Sequence, residues 1–322
     1  MFYAAVLIAS LHAAPAPAPA PRGRIAFTDY TLAAYVPPND PQGITRGPDG
    51  AMWFTEYESD RIGRITTDGT LTEIPFAKNR ISGALGIAAG SDGALWYTEY
   101  IDGQIGRVTT TGTVTEYSFP GSRRSPYAIA AGPDGALWFT EYEDDAIGRI
   151  ATDGTIREYQ LSGATTSFAI CAGPDGAMWF TEPGHGIGRI TTAGVITDFP
   201  LANTFDPRAI AAGPDGALWF TQRGERTLGR ITTSGVFSTL QLEEIGSPQG
   251  IAVGPDGALW ISSYLGNEGL LVRIGADGFV TYYPRAVAAT QQNEDALGLA
   301  AGPNGTLWIT QYGGTIVRAT LP

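Results

Sequence analysis

Residues 132–150 read GPDGALWFTEYEDDAIGRI, and the phrase that opens this stretch returns along the whole chain. It recurs as GPDGAMWFTE (47–56), GSDGALWYTE (90–99), GPDGALWFTE (132–141), GPDGAMWFTE (173–182), GPDGALWFTQ (213–222), GPDGALWISS (254–263) and GPNGTLWITQ (302–311). The seven copies use the seven tryptophans of the chain once each, at Trp53, Trp96, Trp138, Trp179, Trp219, Trp260 and Trp308. Steps between them are 40 to 43 residues, with one longer step at the end.

Each unit parses into four short strands. An apolar run such as YAIAAG leads into the GPDG turn, where Pro sets φ and Gly accepts the positive φ that ends it. ALWFTE follows, then an acidic tip, AIGRIAT, a second turn (TDGT) and IREYQL, all rich in strand formers. Helical spacing is absent. Four strands per unit of about 40 residues, seven times over, predict an all-β fold, a seven-bladed β-propeller. The last unit stops after TIVRATLP, its third strand. The stretch TDYTLAAYVP (28–37) is the expected fourth strand, pairing into the C-terminal blade and closing the ring without a free edge.

Composition fits this reading. Of 322 residues, 43% are hydrophobic and 16% charged, and 43 Gly and 22 Pro favour tight turns over long helices. The net charge of −12 repels phosphate backbones, so no nucleic-acid partner is expected. Residues 1–24 stand apart: MFYAAVLIASLHAA resembles a secretory apolar segment without a basic start, and PAPAPAP forms a semi-rigid tether. Residues 25–322 are read as one propeller. The apolar run is too short to span a bilayer, so no transmembrane anchor is expected in the mature chain, which is placed outside the cell or in the periplasm. Cys171 is the one cysteine, so no intrachain disulfide forms, and its apolar setting makes it a core residue.

Several residue types recur with the repeat. An Arg follows each Trp across the hairpin, at Arg64, Arg107, Arg149, Arg189, Arg230, Arg273 and Arg318. A guanidinium stacked on an indole between blades explains both. The second strand ends at Glu56, Glu99, Glu141, Glu182, Gln222, Ser263 and Gln311. Two readings stand: a divalent-cation site, or glutamates that end each strand near solvent or pair with an Arg; repetition favours the second. The tip acids Glu58, Asp60, Asp102, Glu143, Asp144 and Asp145 read as solvated faces, and His185 as an exposed turn residue. The Asp-Gly pairs read as turn geometry. No Ser-His-Asp, Cys-His or zinc arrangement is visible.

In a propeller the inner strands converge on a central channel. The residues entering them are Gln42, Leu85, Tyr127, Phe168, Arg208, Gln249 and Leu297, a mixed apolar, aromatic and amide ring with one positive charge. Such a ring suits a semi-apolar ligand, or simply plugs the channel. The longest connection, PRAVAATQQNED (284–295), and the extended tip SSYLGNEGLL (262–271) both fall in blades six and seven, where added loops would set ligand choice.

These units, GPDGALWFTE…IGRITTDG…TEY with P-x-[AG]-I opening the next, resemble the streptogramin B (virginiamycin B) lyase family over about residues 38–322. The resemblance implies a seven-bladed propeller and a magnesium-dependent elimination that opens a cyclic depsipeptide antibiotic at its ester, hence antibiotic resistance. It also implies a site in the last two blades. A His opens the penultimate blade as P-H-[AG]-I, a Glu and a second His open the last as E-P-H-G-I, and a Glu follows the last Trp by three. By position, SPQGI puts Gln249 at the first His. NEDALGL puts Asp295 at the first Glu and Leu297 at the second His, and TLWITQ puts Gln311 at the second Glu. Leu297 cannot take a proton, and Gln249 and Gln311 cannot act as bases; losing a general base costs about 10²–10⁴ in rate.

The expectation is therefore an exported monomer that binds a small molecule or a protein partner at the channel mouth, through Gln42, Tyr127, Phe168, Arg208 and Gln249, with little lyase activity. The first alternative is an active lyase with a rearranged site using Asp295, Glu294 and Arg208, where Asp295 would hold the Mg2+ that the resemblance implies. The second is a structural or protein-interaction module.

Overall fold

The computed structural model describes residues 9–10, 24–32, 40–76, 82–119, 124–163, 166–201, 206–243, 245–265, 268–285, 296–311 and 313–322. Within them the chain forms a seven-bladed propeller of four-stranded antiparallel blades and no helix, so none is long and apolar enough to cross a membrane. Blade three is typical. Its strands Pro126–Ala131, Leu137–Glu141, Ala146–Ile150 and Ile156–Gln160 pair in chain order from the channel outward. The GPDG turn joins the first two strands, with Gly135 at φ +77°.

The last blade is completed from the other end of the chain. Ala26–Thr31 pairs antiparallel with Thr315–Thr320, from Ala26↔Thr320 to Thr31↔Thr315. The closing strand thus starts two residues before the expected 28–37 stretch and ends earlier, and residues 33–39 lie outside the described residues. A two-residue strand, Ala9–Ser10, also runs parallel to Ser238–Thr239 on the outer edge of blade five, a pairing the sequence did not suggest.

Three repeated devices hold the ring. The first is a triad in the GPDG turn. Asp134 Oδ1 accepts from Trp138 Nε1 at 3.0 Å, and its Oδ2 accepts from Arg149 Nε at 2.7 Å. The same pair of bonds is made by Asp49, Asp92, Asp175, Asp215 and Asp256. Burial works against these carboxylates, but the Trp and Arg donors outweigh it and hold them below their ordinary range. The Asp of Asp-Gly is therefore more than turn chemistry. Arg149 lies 5.8 Å from the Trp138 ring, but the two are cross-strand neighbours in one blade, so the stack is not made between blades as expected. In blade seven Asn304 replaces the Asp, Trp308 Nε1 donates to Thr306, and Arg318 reaches across to the Thr67 carbonyl of blade one.

The second device is the Thr two residues after six of the Trp residues, with Ser262 in its place in blade six. Five of the inner strands bulge near the mouth, for example between Pro126 and Ile129, so residues there lose their ladder partners. The Thr140 hydroxyl accepts from Ala128 N at 3.1 Å and donates to the Phe168 carbonyl of the next blade at 3.0 Å. Thr55, Thr98, Thr181 and Thr221 repeat the pattern, and Thr310 closes the circle by donating to the Gln42 carbonyl of blade one. These threonines are fully buried.

The third device is a size exchange across the second hairpin. In blades one to five an aromatic ring (Phe54, Tyr97, Phe139, Phe180, Phe220) lies over a glycine (Gly63, Gly106, Gly148, Gly188, Gly229). A Cβ at Gly148 would sit 2.0 Å from the Phe139 ring. In blades six and seven the pair becomes Ile261 with Val272 and Ile309 with Val317, which divides the volume differently.

Candidate functional site at the channel mouth

The start of the inner strand brings one side chain to the channel mouth in each of blades one to six. Gln42, Leu85, Tyr127, Phe168, Arg208 and Gln249 line one cavity of about 510 Å³, with Arg223 and Pro248 at its margin. The backbone of Leu297 continues the ring in strand Ala296–Ala301, while its side chain, Glu294 and Asp295 lie outside the described residues.

The cavity is chemically one-sided. Tyr127 and Phe168 pack with ring centres 4.6 Å apart, and Tyr142 and Tyr100 lean in from the hairpin tips at 5.3 and 6.1 Å from Tyr127. The Arg208 guanidinium lies 4.7 Å from the Phe168 ring and is held by Asp206 at 3.0 Å. Gln42 is fixed in the same way, donating to Asp40 at 2.7 Å. Asp40 and Asp206 each stand two residues before their mouth residue, the spacing that separates Asp295 from Leu297. Burial and its bond to Gln42 act in opposite senses on Asp40, and burial prevails, raising it to about 6. Burial also pushes Tyr127 up to about 12, so its phenol keeps its proton.

The tip tyrosines were not singled out from sequence. The signal was present, since T-[EQ]-Y or S-S-Y follows Trp in five units and Arg223 takes the Tyr place in blade five. The tip acids differ from expectation too. Asp144 accepts from Ser125 N at 2.8 Å, Asp60 from Ser82 N, and Glu143 from the Tyr100 hydroxyl at 2.9 Å. These three fasten the incoming loop and a neighbouring blade, while Glu143 stays exposed as expected of a tip. His185 sits in a turn, its N–H bonded to the Glu182 carbonyl. Cys171 is held inert, its thiol pushed by burial up to about 12.

Beneath the tips lies the second-strand ring. The expectation that its glutamates end near solvent is wrong: Glu56, Glu99, Glu141 and Glu182 are at most 1% exposed, because each turns under its own tip into the blade. Pairing with Arg does occur at Glu141, where Arg124 approaches to 3.5 Å. Neither Glu141 oxygen has a hydrogen-bond partner, and burial together with the Glu158 charge raises it to about 8. Burial raises Glu56 to about 7.

Blade seven solves the same position differently. Gln311 Oε1 accepts from Arg285 NH1 at 2.8 Å, and Arg285 NH2 donates to Asp29 Oδ2 at 2.7 Å. Arg285 is 8% exposed and comes from blade six. A fixed guanidinium thus occupies the neighbourhood where the resemblance would place a functional Glu. Among the described residues no three His, Cys, Asp or Glu converge in a metal-binding group. A divalent cation does not fit beside Arg285, since like charge would oppose it.

A family model described as the Virginiamycin B lyase family matches residues 22–181 and, in a second placement, 78–321. Among solved structures, selenomethionine-substituted virginiamycin B lyase from Staphylococcus aureus is 32% identical with a TM-score of 0.83, covering 93% of this chain and all of that one. A streptogramin B lyase structure is 31% identical with a TM-score of 0.84, covering 92% of this chain and 98% of that one. A catalytically inactive variant of the Staphylococcus aureus enzyme, determined with quinupristin, matches at 32% identity and a TM-score of 0.83 over 93% of this chain and all of that one.

Proposed function

This chain belongs to the virginiamycin B lyase family, and from that premise we propose that it is an exported propeller which binds a semi-apolar small molecule at the channel mouth without opening it by the family's elimination. The observation that carries this reading is the cavity in which Gln42, Tyr127, Phe168, Arg208 and Gln249 meet. The aromatic wall offers stacking area, Arg208 offers a cation to a carbonyl or carboxylate, and the Gln42 and Gln249 amides can donate and accept.

Elimination at an ester asks for a base near the carbon that loses its proton and a positive group near the carbonyl. Arg208 meets the second need. No side chain lining the described mouth meets the first, because Gln249 has no basic nitrogen and the nearby carboxylates Asp40 and Asp206 stand behind the lining, bound to Gln42 and Arg208. Magnesium is left out, given Arg285 beside Gln311.

Quinupristin is the natural probe, having been captured by a relative. We expect calorimetry to detect its binding, weakened at least about tenfold by F168A or R208A, with no ring-opened product by chromatography with or without magnesium. Binding untouched by both substitutions would remove the mouth site. Clear turnover would restore the lyase reading and point to Glu294 and Asp295.

A further inference from the structure

Aromatic rings plug five of the seven seams between blades; the exceptions are blades one and five. In four blades the outer strand lays a ring on its own tryptophan. Tyr117 stacks on Trp96 at 5.3 Å, Tyr159 on Trp138 at 5.5 Å, Phe199 on Trp179 at 5.3 Å and Tyr30 on Trp308 at 5.7 Å. Each ring also lies against a positive-φ glycine of the following blade: Gly154, Gly194, Gly235 and Gly69. A Cβ at Gly154 would fall 2.3 Å from the Tyr117 ring. Tyr283 covers Trp260 in blade six, and Ile74 takes the place in blade one, where Trp53 stays fully buried.

In blade five the equivalent residue is Leu240, paired with Leu228 as Tyr117 is with Ile105. Trp219 alone of the seven tryptophans is only partly buried. Gly278, the facing turn glycine, has nothing within 4 Å of where a Cβ would be. A cavity of about 450 Å³ opens there, walled by Trp219, Leu240, Leu259 and Ile274 and flanked by Ser238 and Thr239. It lies by the GPDG turn, at the end of the inner strand remote from the mouth, so it is separate from the channel site.

We propose that this seam is a second binding site, for a small planar aromatic molecule of phenol or indole type stacked on Trp219. The four plugged seams show what fits between this tryptophan and this glycine: a flat six-membered ring, near-parallel to the indole at 11–18°. An offset aromatic stack is worth more than equal aliphatic area, which selects a ring over an alkyl group. Ser238, two residues before Leu240 and on the same face of the strand, brings a hydroxyl to the lining for the polar edge of a phenol or indole. The guanidinium of Arg230 stays with Asp215 at 2.7 Å, so no net charge is required of the ligand.

The test uses the full chain with p-cresol, a tyrosine side-chain mimic, and 4-methylcyclohexanol as its saturated counterpart. Calorimetry and ligand-detected NMR should show p-cresol binding near about 1 mM, with the saturated analogue at least about tenfold weaker. L240Y and L240F insert the missing ring. Each should lower p-cresol affinity at least about tenfold and shield Trp219 from acrylamide quenching. Variants that stay folded by circular dichroism yet bind p-cresol as the parent does would overturn the proposal, as would equal binding of the saturated analogue. Ala9–Ser10 runs beside Ser238–Thr239, so an F2A/Y3A variant is included. Binding seen only in that variant would assign the ring to the chain's own N-terminal segment and overturn a free ligand.

Discussion

Glu141 is a carboxylate with no room to be charged. Its ordinary value of 4.5 rises to about 8, so between those values the native chain keeps a proton that the unfolded chain has lost. Stability from this group is complete below pH 4.5 and falls as pH climbs to about 8. Blades five and seven carry the neutral isosteres Gln222 and Gln311 at this place. E141Q should therefore leave the melting temperature unchanged near pH 5 and raise it by about 2–4 °C at pH 9, read from thermal melts across pH. The opposite sign holds for the turn aspartates, whose lowered values add stability above their ordinary range and lose it in acid. Thr140 is the sharper single-residue test. T140V keeps the shape but strands Ala128 N–H and the Phe168 carbonyl, and should cost about 1–3 kcal/mol in urea unfolding, most of it recovered by T140S.

Within an element, the exchange of volume between neighbouring strands sets what each position tolerates. G148V places methyl groups inside the Phe139 ring and should destabilise by about 1–3 kcal/mol or more. The double variant F139I/G148V copies the Ile261–Val272 pair of blade six and should recover much of that loss, a coupling that a double-mutant cycle measures directly. This pairing was written in the sequence, since every W-[FY]-T unit is followed by I-G-R or L-G-R while W-I goes with V-R. The strands themselves were legible because period, turn residues and β-formers agree in each copy. The Thr clamp was not, because a Thr in a strand ordinarily signals only β propensity, and its bond to the next blade spans about 28 residues of chain. The Arg285 to Gln311 contact was hidden for a stronger reason: it joins side chains that break the repeat, and no periodic pattern marks it.

For the whole molecule, closure depends on Ala26–Thr31 lying along Thr315–Thr320. Removing residues 1–23 should change the melting temperature little, whereas removing 1–32 bares an edge strand and should lower it by about 10 °C or more, with aggregation visible by light scattering. The architecture could be read from one repeated phrase because seven near-identical units can bury their faces only by closing on one another. The site could be read only in part. Gln42, Tyr127, Phe168, Arg208 and Gln249 occupy a position defined by the repeat, so their meeting at one mouth followed from register. The chemistry of the mouth depends on how these residues differ from one another, and Tyr100 and Tyr142 join them from tips that vary in length.

The pairing of Ala26 with Thr320 has a topological consequence. The ring's first and last strands lie side by side in one blade, so the propeller begins and finishes at the same corner. A short peptide joining them would make the backbone a true circle with seven near-equivalent hairpins, any of which could then be cut. A circular permutant opened at the exposed Asp215–Gly216 turn should fold to the same ring, with Gly216 beginning the new chain and the seventh blade becoming an interior unit.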